Sequence, residues 1–128
     1  MQPKMIWANL TVSDLDRTTK FYTALGFKPN GRSTDLTSFF AAGNQFIIHF
    51  FLKEKLQANV DIEISDAHVA NEIIFTLSAE SKGEVDEWEK QVPKAGGKIV
   101  SAAKAFGEGY YGLVFADPDG HKFNVFYM

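Results

Sequence analysis

The spacing of apolar side chains changes period in the same order twice along this chain. Residues 5–12 are β-rich and about the length of one strand. Leu15, Phe21, Tyr22 and Leu25 then fall on one helical face, with Ser13 read as the N-cap and Asp16 completing an approximate capping box. Gly26 ends that helix, residues 27–29 begin a short strand, and Asn30-Gly31 signals a turn. Residues 37–42 and 45–52 read as two strands across Gly43-Asn44. The second pass begins with a strand over 72–78. It continues with a stronger capping box, Ser81-Lys82-Gly83-Glu84, and a helical stripe of Val85, Trp88, Val92 and Ala95. Pro93 conflicts with that helix and predicts a kink or an early end, before Gly96-Gly97 stop it. Strands follow over 98–102, within 109–116 and over 122–127, with Asp117-Pro118-Asp119-Gly120 as a tight turn.

The pattern therefore predicts an α+β fold: two βαβββ modules, about 1–55 and 72–128, forming a curved mixed sheet with a central cleft. Residues 53–71 are charged and irregular, and read as a connection with room for one short helix, either a flexible loop or an active-site lid. No linker separates a second domain, so residues 1–128 are expected to form one.

Composition narrows the chemistry. A chain of 128 residues with 45% hydrophobic and 23% charged residues is long and apolar enough to bury a core. A net charge of −3, with basic residues scattered, argues against nucleic-acid and anionic-membrane partners. There is no cysteine, which excludes disulfides, thiolate metal sites and cysteine nucleophiles and fits a cytoplasmic location. The N-terminus lacks a signal-peptide core, and no apolar run could span a bilayer. No Gly-X-Ser-X-Gly elbow supports a serine triad.

With Val12-Ser13-Asp14-Leu15, Phe21-Tyr22, Leu25-Gly26-Phe27 and Asp117-Pro118-Asp119-Gly120-His121 in this order, the chain resembles the vicinal oxygen chelate superfamily. That group includes glyoxalase I, extradiol dioxygenases, fosfomycin resistance enzymes and bleomycin-binding proteins. The resemblance implies a homodimer and, in metal-using members, a divalent ion held by His, Gln or Glu on strands of both modules. Carried over residue by residue, the ligand positions fall on Trp7, His49 (or Ile47 in a shifted register), Ile74 and Asn124. One imidazole and one amide are weak donors for such an ion. Asn124 also stands where a carboxylate would be the usual general base. His49 and Asn124 are thus only weak metal candidates, no cofactor is expected, and the catalytic residues are unassigned.

Strand alternation says which side chains accompany those positions. It gives a candidate ligand-binding set of Trp7, Asn9, His49, Phe51, Ile74, Thr76, Lys122, Asn124 and Phe126. Tyr110 joins them from the glycine-punctuated segment 106–112, read as a hairpin connection or a mobile rim. His49 is read first as a hydrogen-bonded core or pocket histidine, and His121 as a solvated loop residue. The leading expectation is a metal-independent protein that binds a small aromatic or amphipathic molecule. The alternative is a divalent-metal-dependent lyase or dioxygenase with His49 and unassigned donors such as Glu108. A third reading is a protein-interaction domain whose cleft is filled by its own aromatics.

Overall fold

The computed structural model describes residues 1–105 and 107–128. The order of elements is β1 (Ile6–Val12), α1 (Leu15–Ala24), β2 (Lys28–Arg32), β3 (Leu36–Ala42), β4 (Phe46–Leu52), α2 (Lys53–Val60), β5 (Phe75–Ser78), α3 (Lys82–Ala95), β6 (Lys98–Ala105), β7 (Tyr111–Ala116) and β8 (Lys122–Tyr127). The fold is α+β, built of two βαβββ modules. Two compact units result, Met1–Ser65 and Asp66–Met128. Each unit has its own four-stranded mixed sheet, ordered β1-β4-β3-β2 in the first and β5-β8-β7-β6 in the second. The first strand of each module pairs parallel with the last, and the other neighbours pair antiparallel.

In the first unit, α1 covers one face of its sheet. Phe21 and Tyr22 are fully buried with Val12, Ile48, Phe50 and Phe39. Tyr22 stacks on Phe50 at 4.5 Å and meets Phe21 and Phe27 edge-on. Such contacts add directional preference to the area these rings withdraw from water. Thr19 Oγ1 reaches Thr37 Oγ1 at 2.8 Å, tying helix to sheet. In the second unit, Val85 and Val92 are buried, and Trp88 stacks on Phe115 at 5.7 Å. Phe115 stacks in turn on Phe123 at 5.1 Å.

Several local expectations are corrected. The cap of α1 is Asp14, not Ser13: Asp14 Oδ1 accepts the Arg17 backbone N–H at 3.0 Å. Starting one residue later lets Leu15 bury at the first helical position, while Ser13 Oγ instead accepts from the Arg17 guanidinium. Ser81 does cap α3, but Glu84 closes the box on Glu80 N–H rather than on Ser81. Pro93 does not end α3, which continues to Ala95. It lies in the last turn with its ring exposed, so it removes one hydrogen bond only. Gly96, at φ +103°, then closes the helix through its N–H to Pro93 O, with Gly97 N–H to Val92 O.

Asn30-Gly31 is not a turn. β2 runs through it, pairing Pro29 with Phe39 and Gly31 with Ser38 across a bulge. Gly31 takes φ +136°, a conformation open to glycine, so the dipeptide shifts register rather than reversing the chain. The strand predicted over 72–78 shrinks to Phe75–Ser78, leaving Ile74 outside it. Residues 53–60 form α2 directly after β4, with buried Leu56 as its anchor. β6 extends to Ala105 past two register shifts against β7.

The turn after β7 is more constrained than its sequence suggests. Asp117 Oδ1 accepts the backbone N–H groups of Asp119 and His121, and His121 is buried rather than solvated. Gly120 has φ +91°, and a Cβ there would lie 2.7 Å from His68 N and 2.8 Å from Ala67 C. The 66–71 segment thus crosses directly over the glycine. Lys122 Nζ fixes it there, donating to Ala67 O, to Asn71 Oδ1 and to Gly120 O.

Candidate functional site

Each sheet has one face packed under a helix and one turned away from it. Paired residues share a face, so the register assembles the second face row by row. In the first unit the central row runs Asn9, His49, Ser38 across β1, β4 and β3. Asn30 extends it from β2, its Nδ2 donating to Ser38 Oγ at 3.1 Å. Above it lie Trp7, Ile47 and Phe40; below it lie Thr11, Phe51 and Leu36. Four of the predicted residues, Trp7, Asn9, His49 and Phe51, therefore do share one surface. Trp7 is 50% exposed, Asn9 is exposed and Ile47 is buried.

The His49 ring is partly buried and meets Phe51 edge-on at 5.9 Å. Burial pushes its pKa below the ordinary 6.5, with no neighbouring charge contributing. At neutral pH the imidazole is therefore uncharged, with one nitrogen able to donate and one to accept.

The second unit repeats the arrangement with other chemistry. Thr76, Asn124 and Val114 form the equivalent row across β5, β8 and β7. Ser78, Phe126 and Gly112 form the next. Asn124 Oδ1 is buried and makes no hydrogen bond among the described residues. It lies over Gly112, where an added Cβ would come within 3.4 Å of it and within 2.6 Å of Val125 O. Tyr110 is 45% exposed, and its ring stacks on Phe126 at 5.5 Å with 18° between planes. That gives this face an aromatic platform beside the amide.

Two predicted residues are placed differently. Ile74 precedes β5 and is 55% exposed, and the Lys122 ammonium is engaged in holding the 66–71 segment. Glu108 is exposed, and Phe106, which opens the predicted glycine-punctuated rim, lies outside the described residues. Sequence reasoning missed Ser38, Phe40 and Lys28, whose side chains join the row of His49 or its neighbour. Alternation within β3 gives Leu36, Ser38 and Phe40 as one set, but which set meets His49 depends on a register that the bulge shifts.

The donors do not fit the metal centre implied by the resemblance. Its four positions carry an indole, an imidazole, an aliphatic chain and an amide. Among the described residues no group of three or more His, Asp or Glu side chains could hold a metal ion. Nor is any described helix long and apolar enough to cross a membrane.

Solved structures match the whole chain. Hypothetical protein SA1046 from S. aureus is 30% identical, with TM-score 0.87 over 100% of this chain and 96% of that one. A glyoxalase-related enzyme from Fulvimarina pelagi is 22% identical, with TM-score 0.87 over 99% of this chain and 89% of its own. A lactoylglutathione lyase from Agrobacterium tumefaciens is 23% identical, with TM-score 0.73 over 98% of this chain and 95% of its own. At these identities the last two show the fold alone. No curated protein matches the chain. The family model for the glyoxalase/bleomycin resistance protein/dioxygenase superfamily matches residues 4–125, and together with the shared fold this establishes that the chain belongs to that superfamily.

Proposed function

We propose that this protein binds a small aromatic or amphipathic molecule on the sheet face of the first unit turned away from α1, without a catalytic metal. The observation that carries this reading is the surface around His49. A partly buried, uncharged imidazole sits in a polar row with Asn9 and Ser38, between apolar rows that include Trp7 and Phe51. Flat apolar surface with a few hydrogen-bonding groups is what holds a ligand by stacking and orients it. Taken by itself, the second unit offers the same kind of surface, with an Asn124 oxygen that has no hydrogen bond among the described residues beside the Tyr110–Phe126 stack. A homodimer in the cytoplasm completes the proposal.

A second reading, a divalent-metal-dependent lyase or dioxygenase, is favoured by one observation: His49 is unprotonated near neutral pH and so is competent as a ligand or base. Native mass spectrometry of protein purified without chelator decides between them. The binding reading expects no stoichiometric metal, a dimer mass, and an organic adduct or added aromatic ligand whose occupancy falls in His49→Ala. A stoichiometric divalent ion that disappears in His49→Ala would overturn it in favour of the enzyme.

A further inference from the structure

The chain is acidic overall, yet its charges are sorted. Among the described residues, none of the eight strands contains an aspartate or a glutamate, and all 16 lie in helices, turns and connections. The strands instead carry Lys28, Arg32, Lys98, Lys104 and Lys122, with His49 as their only histidine. Strand propensity does not account for this, because it disfavours lysine along with the acidic residues. The sheets are thus the cationic part of a protein whose net charge is −3.

These cations are not equivalent. Arg32 is bound to Asp16 at 2.7 Å, and Lys122 is spent on backbone oxygens and Asn71. Lys28, the first residue of β2, pairs with Phe40 and so shares its face, the face of Trp7 and His49. Its ammonium stands 5.5 Å from the centre of the Phe40 ring. A cation–π contact at that distance holds the charge over the apolar row without neutralising it. Lys98 opens β6 in the corresponding place of the second module, opposite Ala116, with no aromatic ring in the paired position.

We infer that the face of the first unit selects an aromatic monoanion, with the ligand's ring on the apolar rows around His49 and its anionic group at Lys28. This rests on the small-molecule-binding reading above and adds the ligand's charge and the residue that reads it. A cationic ring system gains no carboxylate partner from the strands, while an anionic one meets a cation already positioned above an aromatic ring.

Isothermal titration calorimetry on the full chain tests this with three probes of one shape: 2-naphthoate, 2-naphthamide and 2-naphthylmethylammonium. The expected order is naphthoate tightest, by about fivefold over the amide, with the ammonium weakest; an exposed pair supports a difference of this size. Lys28→Met, which keeps the stem on Phe40, removes the naphthoate advantage and leaves the amide unchanged. Added salt erodes the same advantage. Lys98→Met leaves all three affinities alone. Equal affinity for the three probes, or a Lys28→Met loss shared equally by the amide, overturns the charge selection while leaving the binding reading intact. Loss in Lys98→Met but not in Lys28→Met overturns the assignment to Lys28. Failure of all three probes to bind the unaltered chain overturns both.

Discussion

The two βαβββ units keep the same pairing order but use their two faces under different constraints. On the helix side they are chemically alike: Tyr22 against Phe39 and Phe50 in one, Trp88 on Phe115 and Phe115 on Phe123 in the other. On the opposite side the equivalent rows differ, Asn9-His49-Ser38 against Thr76-Asn124-Val114. Close packing accounts for the likeness, since a buried ring can be exchanged only for something of similar volume. A half-exposed face carries no such demand, so its side chains are free to differ. The comparison therefore directs a search for specificity to the faces away from the helices, and a search for stability to those beneath them.

The largest test of that division is truncation of the buried stacks. Phe115→Ala removes the ring between Trp88 and Phe123 and is expected to cost about 3–5 kcal/mol in denaturant unfolding, as is Tyr22→Ala in the first unit. A loss below about 1 kcal/mol at either position would contradict equal packing beneath the two helices.

Smaller, and specific to the second unit, is the cost at its turn. Gly120→Ala combines positive φ with a Cβ that would overlap the backbone of residues 67 and 68, and is expected to destabilise by about 2–3 kcal/mol. Lys122→Met should release the same segment with less effect on global stability. Hydrogen exchange would then quicken at the amides of residues 67–71 while the β7–β8 amides keep their protection. Gly26, at φ +92° but with nothing within 4 Å of its added Cβ, is the control for backbone conformation without the overlap.

The smallest expected effect lies on the open face. The folded-state pKa of His49 is below its unfolded value of 6.5, so the unfolded chain binds the proton more readily. The stability linked to His49 is complete above that value and is lost as pH falls below it towards the folded pKa. His49→Gln should flatten that part of a stability-versus-pH curve, measured by urea unfolding between pH 7.5 and 5. An unchanged slope would mean that burial of the ring does not control its titration.

Element order is legible in the sequence because it rests on local rules. Periodicity of Leu15, Phe21 and Tyr22, or of Val85, Trp88 and Val92, reports a helix whatever surrounds it. Ser81 marked a helix start for the same reason, while Ser13 and Asp14 were two adjacent good caps, and burial of Leu15 chose between them. Asn30-Gly31 misled because the dipeptide suits a bulge as well as a turn, and pairing with β3 selects the bulge.

The surface around His49 was half legible. Alternation placed Trp7, Asn9, His49 and Phe51 on common faces of their own strands, but Ser38, Phe40 and Lys28 joined them through register between strands. For Lys122, alternation indicated a face and could not show that the ammonium would be taken up by carbonyls 51 to 55 residues away. The sequence by itself determined the repeated α+β pattern and the poverty of metal donors at Trp7, His49, Ile74 and Asn124. Only the tertiary structure decided which side chains became neighbours, because cross-strand partners and the strap over Gly120 come from distant segments, and no local periodicity encodes their meeting.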